Sequence, residues 1–97
     1  MNEKHTHDLI APPSVAAILA QLITNSGQSV DLVAAEAGMP VNRLRRILEG
    51  RRRVRRKDAR LLAKPLGRWS ESLWSELSRA QGEVDAWTRE DRRRERR

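Results

Sequence analysis

At 97 residues the chain has room for one small domain, with a core that is adequate rather than generous. It carries 20 Lys and Arg against 13 Asp and Glu, a formal charge of +7, and its lack of cysteine excludes disulfides and thiolate metal sites. No apolar run approaches the roughly 18 residues of a membrane span and no signal peptide opens the chain, so a soluble, cytoplasmic protein is expected.

Residues 1–13, MNEKHTHDLIAPP, are polar and end in two prolines, which reads as a flexible arm. His5 and His7 lie there without a third ligand nearby, so no metal site is expected. Ser14 then caps a first helix whose core face is Val15, Ile18, Leu19, Leu22 and Ile23, ending at Asn25-Ser26-Gly27. Ser29 caps a second helix with Asp31 in its first turn, and Val33, Ala34 and Ala37 face inward. Gly38 sits at the corner that follows, where the turn calls for a left-handed backbone. Pro40 stops the second helix from running on, and Ala34 is small where two helices must touch.

The third helix covers about residues 41–49. Val41, Leu44, Ile47 and Leu48 recur at helical spacing, while Asn42, Arg43, Arg45 and Arg46 make the other face polar and cationic. A short helix, a glycine turn and a basic second helix form a helix-turn-helix pattern, whose second helix fits the DNA major groove. The helix ends at Gly50, and residues 51–57, RRRVRRK, form a basic loop with Val54 as its one apolar anchor. Ten basic residues against two acids between Arg43 and Arg60 give the cationic patch that phosphate binding requires.

Asp58 is expected to cap a fourth helix, DARLLAKPLG, burying Leu61, Leu62 and Leu66, with Pro65 kinking or ending it. A last helix begins near Ser70. Its apolar residues Leu73, Leu77, Ala80, Val84 and Trp87 form a short heptad seam, with Trp74 beside it and Trp69 just ahead. The seam serves either core closure or a dimer interface, and the dimer is favoured because two-fold symmetry is how such proteins gain affinity. Leu73, Trp74, Leu77, Val84 and Trp87 are the residues expected at that interface. Gly82 weakens the helix, and the charged tail 88–97, TREDRRRERR, is expected to fray. The domain boundaries are therefore 1–13, 14–87 and 88–97.

Residues 29–67 resemble the XRE-type helix-turn-helix of lambdoid phage repressors, and within it the HigA (VapI-like) antitoxin group. The matching pieces are S-x-x-x-V-A at 29–34, A-G-M-P at 37–40, N-R-L-x-x-I-L-x-G-R-R-R-V at 42–54 and A-R-L-L-A-x-x-L-G at 59–67. S-E-S-L-W-S-E-L at 70–77 is also similar to the family's tail. The resemblance implies an all-α, compact five-helix lambda-repressor-like domain, a homodimer on a palindromic operator in its own promoter, and a HigB-like ribonuclease toxin neutralised by direct binding. Carried over by position, Val41, Asn42, Arg45 and Arg46 read bases, Arg43 lies near the groove wall, and Arg51, Arg52 and Arg53 hold phosphates. Three residues or segments depart from the family: Val30 stands where a Gln bonds a phosphate, Glu49 replaces an Asn near the backbone, and Ala-Pro-Pro replaces the His-Pro-Gly entry.

The side-chain chemistry points the same way. Arg45 and Arg46 match O6 and N7 of guanine, Asn42 matches adenine, and Val41 can pack on a thymine methyl. Arg51, Arg52, Arg53, Arg55 and Arg56, with Arg43, are the expected phosphate-binding set. The expected function is a sequence-specific, autoregulating repressor that is also the antitoxin of a HigBA-type module. The alternative is a stand-alone phage- or plasmid-type regulator, which a small neighbouring toxin gene would distinguish. An RNA-binding protein lacks the stacking Phe and Tyr it would need. An enzyme has no clustered residues from which to build a site, and no cofactor is called for.

Overall fold

The computed structural model describes residues 13–95, and among them five helices and no strand. They are α1 (Val15–Ser26), α2 (Val30–Ala37), α3 (Val41–Leu48), α4 (Arg56–Ala63) and α5 (Ser70–Glu95). The arm expected over 1–13 lies outside the described residues except for Pro13.

The first two helices begin and end where their caps require. Ser14 Oγ accepts the Ala17 N–H at 3.0 Å, and Ser29 Oγ accepts the Leu32 N–H at 3.1 Å. Each satisfies a donor that the helix itself cannot. Gly38 takes φ +71°, a conformation that a β-carbon would strain, and Met39 N–H then closes on Ala34 O at 2.9 Å. That corner turns the chain from α2 into α3 and buries Met39. Leu44 and Ile47 anchor α3 from one face, and Val15, Leu19, Ile23, Val33, Ala34 and Ala37 supply the core around them.

The fourth helix differs from expectation at its start and ends ahead of Pro65 as expected. It starts at Arg56, so Arg56 and Lys57 are helical and the basic loop is shorter than 51–57. Asp58 is not the cap residue but sits in the first turn, its Oδ2 accepting the Arg55 N–H at 2.9 Å. A carboxylate three residues in can reach back to the cap residue in this way, half of the capping-box arrangement. The helix stops at Ala63, because Pro65 has no N–H to continue the ladder. Arg68 N–H bonds Ala63 O at 2.9 Å to close the turn. Leu62 is fully buried, while Leu61 and Leu66 are half-buried against the same core. Gln28 Nε2 donates to Pro65 O at 2.8 Å, tying this turn to the α1–α2 link.

α5 packs across α4 and α1. Leu73, Leu77 and Ala80 are buried within the single chain. This corrects the dimer assignment of Leu73 and Leu77: the first half of the seam closes the core, and the core would be open without it. Trp74 is half-buried against that core, while Val84 and Trp87 lie further along, also half-buried. The helix does not stop at Trp87 but continues through Glu95, so the expected boundary before the tail is not seen. Past Gly82 no Gly or Pro interrupts it, and its Arg and Glu are good helix formers. At 26 residues α5 is about 39 Å long, and the molecule measures 47 × 24 × 23 Å. No helix among the described residues is long and apolar enough to cross a membrane.

Candidate nucleic-acid interface

With Leu44 and Ile47 buried, α3 turns Asn42, Arg45 and Arg46 to solvent. Val41 does not join them fully. It is half-buried against the core, which reduces the surface it could offer to a thymine methyl.

Arg43 is the clearest departure from expectation. Its Nε donates to Asp58 Oδ1 at 2.8 Å and its Nη2 to Oδ2 at 3.0 Å, a two-bond fork onto a carboxylate only 1 % exposed. Burial pushes the Asp58 carboxyl up, but the Arg43 bonds, the Arg55 N–H and the charges of Arg43 and Arg52 outweigh it. The net effect holds the carboxyl below its ordinary range. Arg43 is correspondingly pushed up, chiefly by its bond to Asp58. The guanidinium sequence reasoning assigned to phosphate is thus an internal strut joining α3 to α4 across the basic loop. Asp58 is one of only two acids inside a run of ten cations, which is itself a signal for such a counter-ion.

The other arginines divide into paired and free. Arg45 Nη2 donates to Asp31 Oδ1 at 2.8 Å, and Arg51 lies 3.8 Å from Glu49. Arg53 donates to Asp85 Oδ2 at 2.8 Å while Gln81 donates to the other oxygen at 3.1 Å. Arg56 pairs with Glu71 at 3.1 Å. Arg46, Arg52 and Arg55 have no acid partner among the described residues. The pairings of Asp31, Asp85 and Glu71 were not legible in sequence, since each joins residues 14 to 32 positions apart.

The loop that carries Arg51, Arg52, Arg53 and Arg55 is pinned at both ends. Gly50 takes φ +76° after α3, and Arg51 N–H returns to Arg46 O at 2.9 Å. Val54 then packs on the core as the loop's apolar anchor. Among the described residues no group of three His, Cys, Asp or Glu could hold a metal, and His5 and His7 lie outside them. No protein-family model, curated protein or solved structure matches the chain.

Proposed function

We propose that the chain is a sequence-specific repressor of double-stranded DNA that uses α2, the Gly38 corner and α3 as a lambda-repressor-like helix-turn-helix. The observation that carries this reading is the exposed edge Asn42–Arg45–Arg46, anchored from behind by Leu44 and Ile47. Beside it runs a loop whose Arg52 and Arg55 are free to meet phosphate. An α-helix is about 10–12 Å across with its side chains, which fits a major groove roughly 12 Å wide.

Arg45 and Arg46 then read guanine and Asn42 reads adenine. Arg51, Arg52, Arg53, Arg55 and Arg56 hold the backbone, while Arg43 supports the fold instead. Arg46→Ala is expected to cost about 1–3 kcal/mol on the preferred site and to relax preference at one base pair. Binding assays on single-base variants of the site check this. A second copy joins through the C-terminal half of α5, where Val84 and Trp87 are half-buried. On the motif resemblance of residues 29–67, the protein is further the antitoxin of a HigB-like ribonuclease toxin, repressing its own operon in the cytoplasm.

The test is a fluorescence titration of the protein on its own upstream DNA against a shuffled duplex at physiological salt. A preference of about a thousandfold or more supports a specific repressor, and the neighbouring gene's product is then added. Equal, weak binding to both would reduce the arginine patch to plain electrostatics and move the reading toward RNA or a protein partner.

A further inference from the structure

Asp31 is an acid on the face turned toward the phosphates in the reading above. It lies in the first turn of α2 with its side chain 68 % exposed, and its carboxylate is turned to Arg45, 14 residues on. Its own helix does not need it as a cap, because Ser29 already takes the Leu32 N–H. Val30 ahead of it has no polar group, so Asp31 is the polar side chain of this turn that reaches α3. Arg46, the next residue on α3 and also exposed, has no acid beside it among the described residues.

We infer that Asp31 is a specificity-determining residue, which positions the Arg45 guanidinium for a base edge and withholds it from phosphate. This rests on the reading of α3 as the DNA-facing helix. An arginine side chain has many rotamers, and a free one meets whichever acceptor is nearest. The bond to Asp31 takes one Nη2 hydrogen and leaves Nε, both Nη1 hydrogens and the second Nη2 hydrogen available. The end of the guanidinium therefore still carries two donors for O6 and N7 of guanine. A phosphate, by contrast, must displace Asp31 or approach against its charge. Asp31 thus weakens backbone binding everywhere and gives way least where a guanine offers two acceptors. In water an exposed pair of this kind contributes little; its weight rises once the duplex excludes solvent from the groove.

The experiment measures the full-length protein on two duplexes, one recovered by selection from a randomised pool and one scrambled from it. Wild type, Asp31→Asn, Asp31→Glu, Arg45→Ala and the double variant Asp31→Asn/Arg45→Ala are compared. Asp31→Asn is expected to bind the scrambled duplex about two- to threefold more tightly and to lose roughly tenfold in preference. Asp31→Glu should recover part of the preference. In the Arg45→Ala background, Asp31→Asn should leave the preference unchanged. Equal tightening on both duplexes would overturn the inference, leaving Asp31 as a simple repulsive charge. A loss of preference that persists without Arg45 would overturn it as well. A wild-type protein with no preference defeats the repressor reading itself, whereas a discriminating wild type with an insensitive Asp31→Asn defeats this inference alone.

Discussion

At the scale of single residues, Arg43 and Asp58 show how one ion pair can serve a fold in the middle of a cationic surface. Removing Arg43 leaves a buried carboxylate with only a backbone N–H, so Arg43→Ala is expected to cost about 3 kcal/mol in denaturant unfolding. Arg43→Lys should recover little, because an ammonium cannot form the fork. The pair also sets an acid limit. Because Asp58 is held below its ordinary range, its contribution is present above about pH 4 and is lost as pH falls through the folded value. Thermal melts in acid should show the gap between wild type and Asp58→Asn closing below about pH 4. A different contrast separates Arg52 from Arg53. Arg52 is unpaired, whereas Arg53 must leave Asp85 before it can reach a phosphate. Arg52→Ala should therefore reduce the salt slope of DNA binding by about 0.9, and Arg53→Ala by less. Titrations at several salt concentrations on one scrambled duplex measure both.

At the scale of elements, the helix starts and stops near α1, α2 and α3 were legible because each is written in local chemistry. Ser14, Ser29, Gly27, Gly38 and Pro40 act within a turn of where they stand. The start of α4 was harder, since Asp58 can either cap a helix or reach back from inside it, and only its burial against Arg43 decides. The role of α5 was harder again. A heptad seam looks the same whether it meets its own chain or another, and the choice depended on how α4 and α1 were placed. Exposed α3 positions were legible from periodicity, but the acids that hold Arg45, Arg53 and Arg56 come from distant elements and were not. Within α5, Gly82 has open space where a β-carbon would go. Gly82→Ala should thus stabilise the protein by about 0.5–1 kcal/mol, a rise of several degrees in the melting temperature. A melt of the variant checks it.

At the scale of the whole molecule, the first half of the α5 seam is fully buried and the second only half-buried, so the two halves respond differently to substitution. Leu77→Ala is expected to cost about 2–5 kcal/mol of stability through the cavity it leaves. Trp87→Ala should cost less than this in the melt, because Trp87 is only half-buried, while shifting sedimentation of the proposed dimer at micromolar concentration toward monomer. A dimer that survives Trp87→Ala would put the interface elsewhere on the chain. In the proposed dimer, pairing through this half of α5 would set two α3 helices on one side of a duplex, with half-sites about 34 Å apart. The arrangement of α5 has an optical side too. The chain has three tryptophans and no tyrosine or phenylalanine, and the indoles lie at three depths along one helix and its start. Trp69 is 83 % exposed, Trp74 lies half-buried on the core, and Trp87 is half-buried further along α5. Near-ultraviolet emission therefore comes from three reporters with separate duties: Trp74 registers unfolding, Trp87 is placed to register the proposed pairing, and Trp69 supplies a solvated background. None stands on α3 or its loop, so a spectral change on adding DNA would report an event transmitted to α5 rather than contact with the bases.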